Sequence, residues 1–565
     1  MLLEKLREYS RRIKSTPVMY KMTPIKWIIS LDKDGNFKGF LSTTSEAQGK
    51  KKDKGKEYLA PTVGRTSGIK AILLADKVEY VLGLDKEKRP DEWASKCLVA
   101  FIELLDKCAK GSGSDTVQTV KRFYDSYAVG SVGLPEGFNP TDLFTFSVDG
   151  AFPIDEPPVR DFWAKETVGK GRDDKGAVST CLVCGEEKPA ADKLPINTKG
   201  IPGGQTSGTF LVSANAPAFL SYDLKSSDMS PICHECGEAF GKALNDLIEK
   251  PNTHITIGQM VYVFWTREET GFDAVSLFQD PQPEDVKKLL SKPLTGERAL
   301  AQDEALFYCA AFSASGGRVV VRDWLVTTLG EVQRNLARYF RAQSLVEWDG
   351  TEGAPLPVWK ITSSLTFKKE TVAPNVPKAI LRFAFGGGEL PLSLVFQAVK
   401  RNRAEQALTR PRAALIKMVL MSKKEYVNKE DSMEKVDLTN DNPAYLCGRL
   451  FGVVEAVQKT AMPGINATVT DRFYGTASTA PASVFGRLMK GCQNHISKLA
   501  KEKPGACKYL EDDLLEITTS LKTFPVILNL EEQGLFALGF YHQKAHRKAA
   551  VEERKARRAE EEAGE

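Results

Sequence analysis

The sequence predicts an α+β protein: a mixed N-terminal α/β part with an irregular insertion, followed by a C-terminal helical bundle. Three observations support this. Short strand signals bounded by turn residues recur at 25–31, 36–41, 255–265 and 318–324. A helical period of apolar residues runs through 329–340 and most of 390–545. Residues 166–210 are rich in Gly, Lys, Pro and Thr and show neither period. The expected layout is 1–370 for the α+β region, with the insertion at about 175–240. The bundle follows at 371–545, and 546–565 is a charged tail.

At 565 residues the chain can fold as about two to four domains. Hydrophobic residues make up 42% and charged residues 27%, which is ordinary globular composition. No run of ~18 apolar residues offers a membrane span. The start, Met1-Leu2-Leu3-Glu4-Lys5-Leu6-Arg7, is too charged for a secretory signal, so a cytoplasmic protein is expected. A net charge of +5 is small for this size, so any case for nucleic acid must rest on local clusters.

Taken in order, 25–31 and 36–41 form a hairpin turned at Asp34-Gly35. The acidic stretch from Asp32 to Asn36 has its glycine misplaced for a calcium loop and no closing glutamate, so it reads as a turn. Residues 43–58 crowd Lys50, Lys51, Lys52, Lys54 and Lys56 into a polar, mobile loop. A helix is expected from about 91 to 110, with Cys97 and Cys108 on its apolar stripe as core residues. A loop at 111–114 follows, and Asp115 is placed to cap the next helix. The strand 318–324 alternates Val319, Val321 and Asp323 with Val320, Arg322 and Trp324. Arg318, Arg322 and Arg338 form a possible basic patch, with Asp323 and Glu331 as competing partners.

Two C-x-x-C knuckles, Cys181-Leu182-Val183-Cys184 and Cys233-His234-Glu235-Cys236, are each followed by glycine. Ten cysteines in a cytosolic chain point to thiols or metal ligands rather than disulfides. Four thiolates suit a closed tetrahedral zinc site, which is structural and not catalytic. Zinc here would pin the ends of the insertion and contribute folding energy to a segment poor in core residues. The 48 intervening residues exceed the usual ribbon spacing. His234, between two ligands, is expected to point away.

No catalytic motif stands out. The histidines His234, His254, His495, His542 and His546 form no HExxH helix, and no GxxxxGK[ST] phosphate loop exists. Pro283-Glu284-Asp285-Val286-Lys287 reads as a charged helix start, not a nuclease site. Lys400, Arg401, Arg403, Arg410, Arg412 and Lys417 face only Glu405 along a largely helical stretch. Six phosphate contacts from this run would give a log–log salt slope of roughly −5. The competing reading is a surface for acidic partner proteins.

An ordered set of segments resembles the large-subunit family of type I-C CRISPR surveillance complexes. It comprises Arg65-Thr66-Ser67-Gly68-Ile69-Lys70, Leu211-Val212-Ser213-Ala214-Asn215-Ala216-Pro217 and Arg318-Val319-Val320-Val321-Arg322-Asp323-Trp324. Asn442-Pro443-Ala444-Tyr445-Leu446-Cys447-Gly448-Arg449 and Asp471-Arg472-Phe473-Tyr474-Gly475 complete it, and order and spacing hold nearly end to end. The resemblance implies a non-enzymatic subunit that reads a short motif beside the target in double-stranded DNA, helps unwinding, and holds the displaced single strand. Base pairing by a CRISPR RNA reads the rest. Implied partners are the crRNA-bearing backbone subunits, a helicase-nuclease, and a small subunit translated from an internal start such as Met418, Met421 or Met433.

Under this resemblance Arg65, Ser67, Lys70, Lys199, Gln205 and Asn215 are expected at the motif, beside glycines that let backbone approach a groove. The run from Lys400 to Lys417 is expected on the displaced strand. Two departures stand out. Many relatives lack the second cysteine knuckle, which makes zinc a feature of this branch. Ala71-Ile72-Leu73 replaces a Pro-Asn-Phe common in relatives, so the DNA motif read here is expected to differ. The alternative reading is a zinc-dependent nucleic-acid-processing enzyme, such as a nuclease, with an unrecognised site.

Overall fold

The computed structural model describes the chain except for residues 14–16, 18, 45–53, 64–67, 85–91, 169–177, 192, 214–216, 221, 223, 225, 292–303, 368–369, 425–432 and 565. Side chains at 219, 226–227 and 558–564 are likewise outside the description. The basic loop 43–58 falls largely in the gap 45–53, and its end is strand instead. Contacts divide the chain into two units. The first holds 1–199, 205–246 and 317–319, and the second holds 200–204, 247–316 and 320–565. The contact boundary lies near 247.

The first unit begins with α1 (Leu2–Ser10), β1 (Tyr20–Ile25), β2 (Trp27–Leu31), β3 (Phe37–Ser42), β4 (Lys56–Pro61) and β5 (Ala75–Lys77). It continues with α2 (Val78–Val81), α3 (Trp93–Ser112), α4 (Asp115–Ser126), β6 (Leu143–Val148) and α5 (Pro157–Val168). The hairpin β7 (Val178–Thr180) and β8 (Glu187–Pro189) precedes α6 (His234–Glu249). The central sheet has the order β3-β2-β6-β5, with β2 and β6 parallel and the other pairs antiparallel. β1 pairs with β4 in a separate ribbon.

The expected hairpin is β2–β3. The Asp32 carboxylate accepts the backbone N–H groups of Asp34 (3.0 Å) and Asn36 (2.9 Å), which closes a turn and not a cation loop. Helix α3 turns Cys97, Phe101, Leu105 and Cys108 into the core, as its apolar stripe predicts. It also continues through 111–112, where a loop was expected. The cap of α4 is Ser114, whose hydroxyl accepts Val117 N–H at 3.2 Å, and Asp115 is the first helical residue.

The second unit contains the antiparallel sheet β12-β11-β10-β9, from β9 (His254–Ile257), β10 (Met260–Thr266), β11 (Leu306–Ser315) and β12 (Arg318–Thr328). The apolar run 255–265 is thus two strands, broken by a turn at Gly258. Its first helices are α7 (Ala274–Gln279), α8 (Pro283–Ser291), α9 (Leu329–Gln343), α10 (Val358–Ser363), α11 (Asn375–Gly386), α12 (Ser393–Glu405) and α13 (Arg410–Met421). Then come α14 (Pro443–Ala461), α15 (Val469–Ala477), α16 (Pro481–Glu502), α17 (Pro504–Ser520) and α18 (Leu530–Gly564).

Asn442 caps α14 by accepting Ala444 and Tyr445 N–H, with Pro443 at the first helical position. Glycines let α14 and α18 cross closely. A Cβ at Gly448 would lie 2.0 Å from the Phe536 carbonyl, and one at Gly539 would lie 2.2 Å from that of Tyr445. Arg449 is fully buried and donates two hydrogen bonds to Glu516 (2.9 and 2.8 Å) and one to Gln543 (2.9 Å). The charged tail continues α18 and is tied near its start by Arg547 to Asp513 at 2.6 Å.

Candidate functional site

The four knuckle cysteines converge within the first unit. Cys181 to Cys184 form the turn of the β7–β8 hairpin, where Gly185 N–H donates to the Cys181 carbonyl at 2.9 Å. Cys233 bridges to Ala190 just beyond β8, and Cys236 lies in the first turn of α6. Their Sγ atoms all lie within 4.8 Å of one another, and Cys184 and Cys233 are 3.9 Å apart. Tetrahedral thiolates about 2.3 Å from zinc stand about 3.8 Å apart, so this donor set fits one ion.

Three of the cysteines are buried and Cys184 is half-buried. Burial opposes ionisation of Cys181. The Cys233, Cys184 and Val183 amides and the Cys184 thiol outweigh it together and lower its pKa to about 6. Burial raises Cys233 to about 11 and pushes Cys236 higher still. Metal binding at such a quartet replaces thiol protons and so proceeds with proton release. His234 is not one of the four ligand positions. Among the described residues this quartet is the single group of three or more metal-ligating side chains.

The residues expected at a DNA motif are only partly visible. Arg65, Ser67 and Asn215 lie outside the described residues. Lys70 is exposed, and its backbone N–H donates to the Tyr80 hydroxyl at 3.3 Å. Lys199 is exposed, with its N–H held by the Asn245 side chain at 2.9 Å. Gln205 is exposed and its amide sits over Gly317. The structure adds Lys21 of β1, whose pKa falls first through partial desolvation and then through the nearby charge of Lys199. An isolated lysine in a strand gave no sequence signal, yet it forms a cationic pair with Lys199.

The basic run requires a correction. Only Lys400 is exposed. Arg401, Arg410, Arg412 and Lys417 are buried and Arg403 is half-buried. Glu405 pairs with both Arg401 and Arg412, and Arg403 donates to Gln533. Arg410 pairs with Glu347 (2.9 Å) and donates to the carbonyls of Leu345 (3.1 Å) and Ala354 (2.7 Å). Lys417 donates to the carbonyls of Arg341 (3.2 Å) and Ser344 (2.8 Å), where α9 ends. Lys417 thus satisfies backbone acceptors left open at a helix end, and the run does not form a row facing solvent. In the other patch, Arg322 donates to Ser313 (2.7 Å) and Arg338 to the Ser422 carbonyl (2.9 Å). Asp323 pairs with Arg382 at 2.7 Å. Residues 283–287 open α8, as their pattern predicts.

No described helix is long and apolar enough to cross a membrane. No curated protein matches the chain. A family model described as CRISPR-associated protein (Cas_Csd1) matches residues 3–548 and so spans both contact units. The chain therefore belongs to the CRISPR-associated Cas_Csd1 family.

Proposed function

We propose that this protein is the large subunit of a type I-C CRISPR RNA-guided surveillance complex in the cytoplasm. The single observation behind the reading is the family match from residue 3 to residue 548. In this role the first unit reads the short motif beside the target in duplex DNA, with Lys70, Lys199 and Lys21 as its exposed cations. The protein helps open the duplex, holds the displaced strand and recruits a helicase-nuclease, and it cleaves no phosphodiester bond itself. Its partners include crRNA-bearing backbone subunits and a small subunit made from an internal start. Met418 and Met421 lie inside α13, so a product begun at either would start within a helix. The metal at the quartet is zinc. It would supply a rigid four-thiolate crosslink that fixes β7–β8 to the start of α6.

The test is target capture by the assembled ribonucleoprotein with and without this chain, measured on double-stranded target by mobility shift. Loss of capture without the chain, and weakened capture with Lys70→Ala, is the expected result. Equal capture without the chain would overturn the reading. Magnesium- or manganese-dependent DNA cleavage by the pure protein, abolished by a carboxylate substitution, would favour an enzyme instead.

A further inference from the structure

The first unit holds a cavity of about 700 Å³ beside the cysteine quartet. Its volume falls within the roughly 300–1,000 Å³ range of small-ligand pockets. The apolar lining comes from three directions: Ala100 and Leu104 of α3, Ile69 and Ala71 of the strap before β5, and Pro189 and Ala190 at the end of β8. Trp163 of α5 also lines it, its indole N–H fixed to the Met19 carbonyl at 3.0 Å. One wall is held from behind by the metal knuckle, because Ala190 bridges to Cys233.

The charges define what fits. Lys70, Lys107, Lys188 and Lys193 line the cavity together with Glu103, Glu166 and Glu235. Lys188 is taken up by Glu186 and Glu235, each at 2.8 Å. Lys107 and Lys193 are exposed and carry no ion pair among the described residues, which leaves two cations open to a ligand. That suits a single phosphate and opposes a run of them. A wholly apolar ligand would leave Lys107 and Lys193 without a counter-charge. A flat base on the apolar lining with one phosphate at the lysines satisfies both surfaces.

We infer that this cavity takes one unpaired nucleotide, with its base against the apolar walls and its phosphate at Lys107 or Lys193. This rests on the DNA-reading role and deepens it, because a subunit that opens a duplex creates unpaired nucleotides beside the motif. The same chemistry has two sources, a free nucleotide or an unpaired nucleotide within a strand.

The test uses the full-length, metal-loaded chain and 2-aminopurine fluorescence. One probe is the free 2-aminopurine deoxynucleoside monophosphate, and the other is a duplex with one unpaired 2-aminopurine nucleotide. Ala100→Trp fills the cavity from a half-exposed helix position, and Lys107→Glu with Lys193→Glu reverses two exposed charges. Binding of either probe, weakened about tenfold or more by both variants, supports the cavity, and the probe that binds identifies the source. Should Ala100→Trp fail to fold, the surface pair decides alone. Absence of binding by both probes, or binding unchanged in the variants, overturns the inference. If the cavity variants change nothing while duplex capture still needs the chain, the cavity falls and the DNA-reading role stands.

Discussion

Lys417 shows how a residue's meaning changes once its surroundings are known. In sequence it closes a cationic run, but in the fold it is fully buried and caps the end of α9. Arg412 is similar, with its charge balanced by Glu405. Arg412→Ala is expected to destabilise the second unit by about 1–3 kcal/mol in denaturant unfolding, since it leaves the buried Asn402 side chain and the Ala407 carbonyl without their donor. Lys400→Ala, at an exposed position, should leave stability within about 0.5 kcal/mol of the parent.

His542 provides a pH test. It is fully buried against the Tyr445 hydroxyl at 2.9 Å. Burial first, and the Lys417 charge next, lower its pKa to about 3. The unfolded chain takes up this proton near its ordinary value of about 6.5. The stabilisation is therefore fully present above about pH 6.5 and is lost progressively as pH falls toward the folded value. Urea unfolding of the parent should lose about 2 kcal/mol from this group between pH 6.5 and 5, and His542→Phe should show a shallower slope. At the quartet, Cys181→Ser should lower bound zinc from about one per chain, measured by elemental analysis, and lower the unfolding temperature of the first unit. Unchanged metal content would remove the site.

At the scale of elements, the crossing of α14 and α18 depends on backbone contact. Gly448→Ala would drive a Cβ into the Phe536 carbonyl, and separating the helices should cost about 1–3 kcal/mol or more. Glycine at this position stood out in the sequence only as part of a family segment, because helical periodicity does not mark where two backbones meet. Other elements were legible. The α3 stripe, the β2–β3 hairpin and the start of α8 follow from local spacing and turn chemistry, which act over a few residues. The Ser114 cap was displaced by one position in the sequence reading, because both Ser114 and Asp115 are good caps and only the backbone conformation distinguishes them.

At the scale of the molecule, burial of the basic run changes an expected salt dependence. Six phosphate contacts would give a slope near −5, whereas Lys400 alone can contribute only about −1. Target binding by the assembled complex, titrated with salt, should therefore change slope by about one unit or less with Lys400→Ala. A further loss of about one unit of slope with each of Arg401→Ala and Arg412→Ala would show that the buried arginines reach DNA after rearrangement.

The sequence alone determined the α+β class, the helical C-terminal part, the cysteine quartet and the family resemblance. Each is written in residue types, spacings and order along the chain. Only the tertiary structure decided which cations face solvent, where the contact units divide, and that α3, the strap at 69–71 and the cysteine-bearing hairpin line one cavity. Exposure and enclosure depend on which distant segments pack over a side chain, and local periodicity holds no record of that packing.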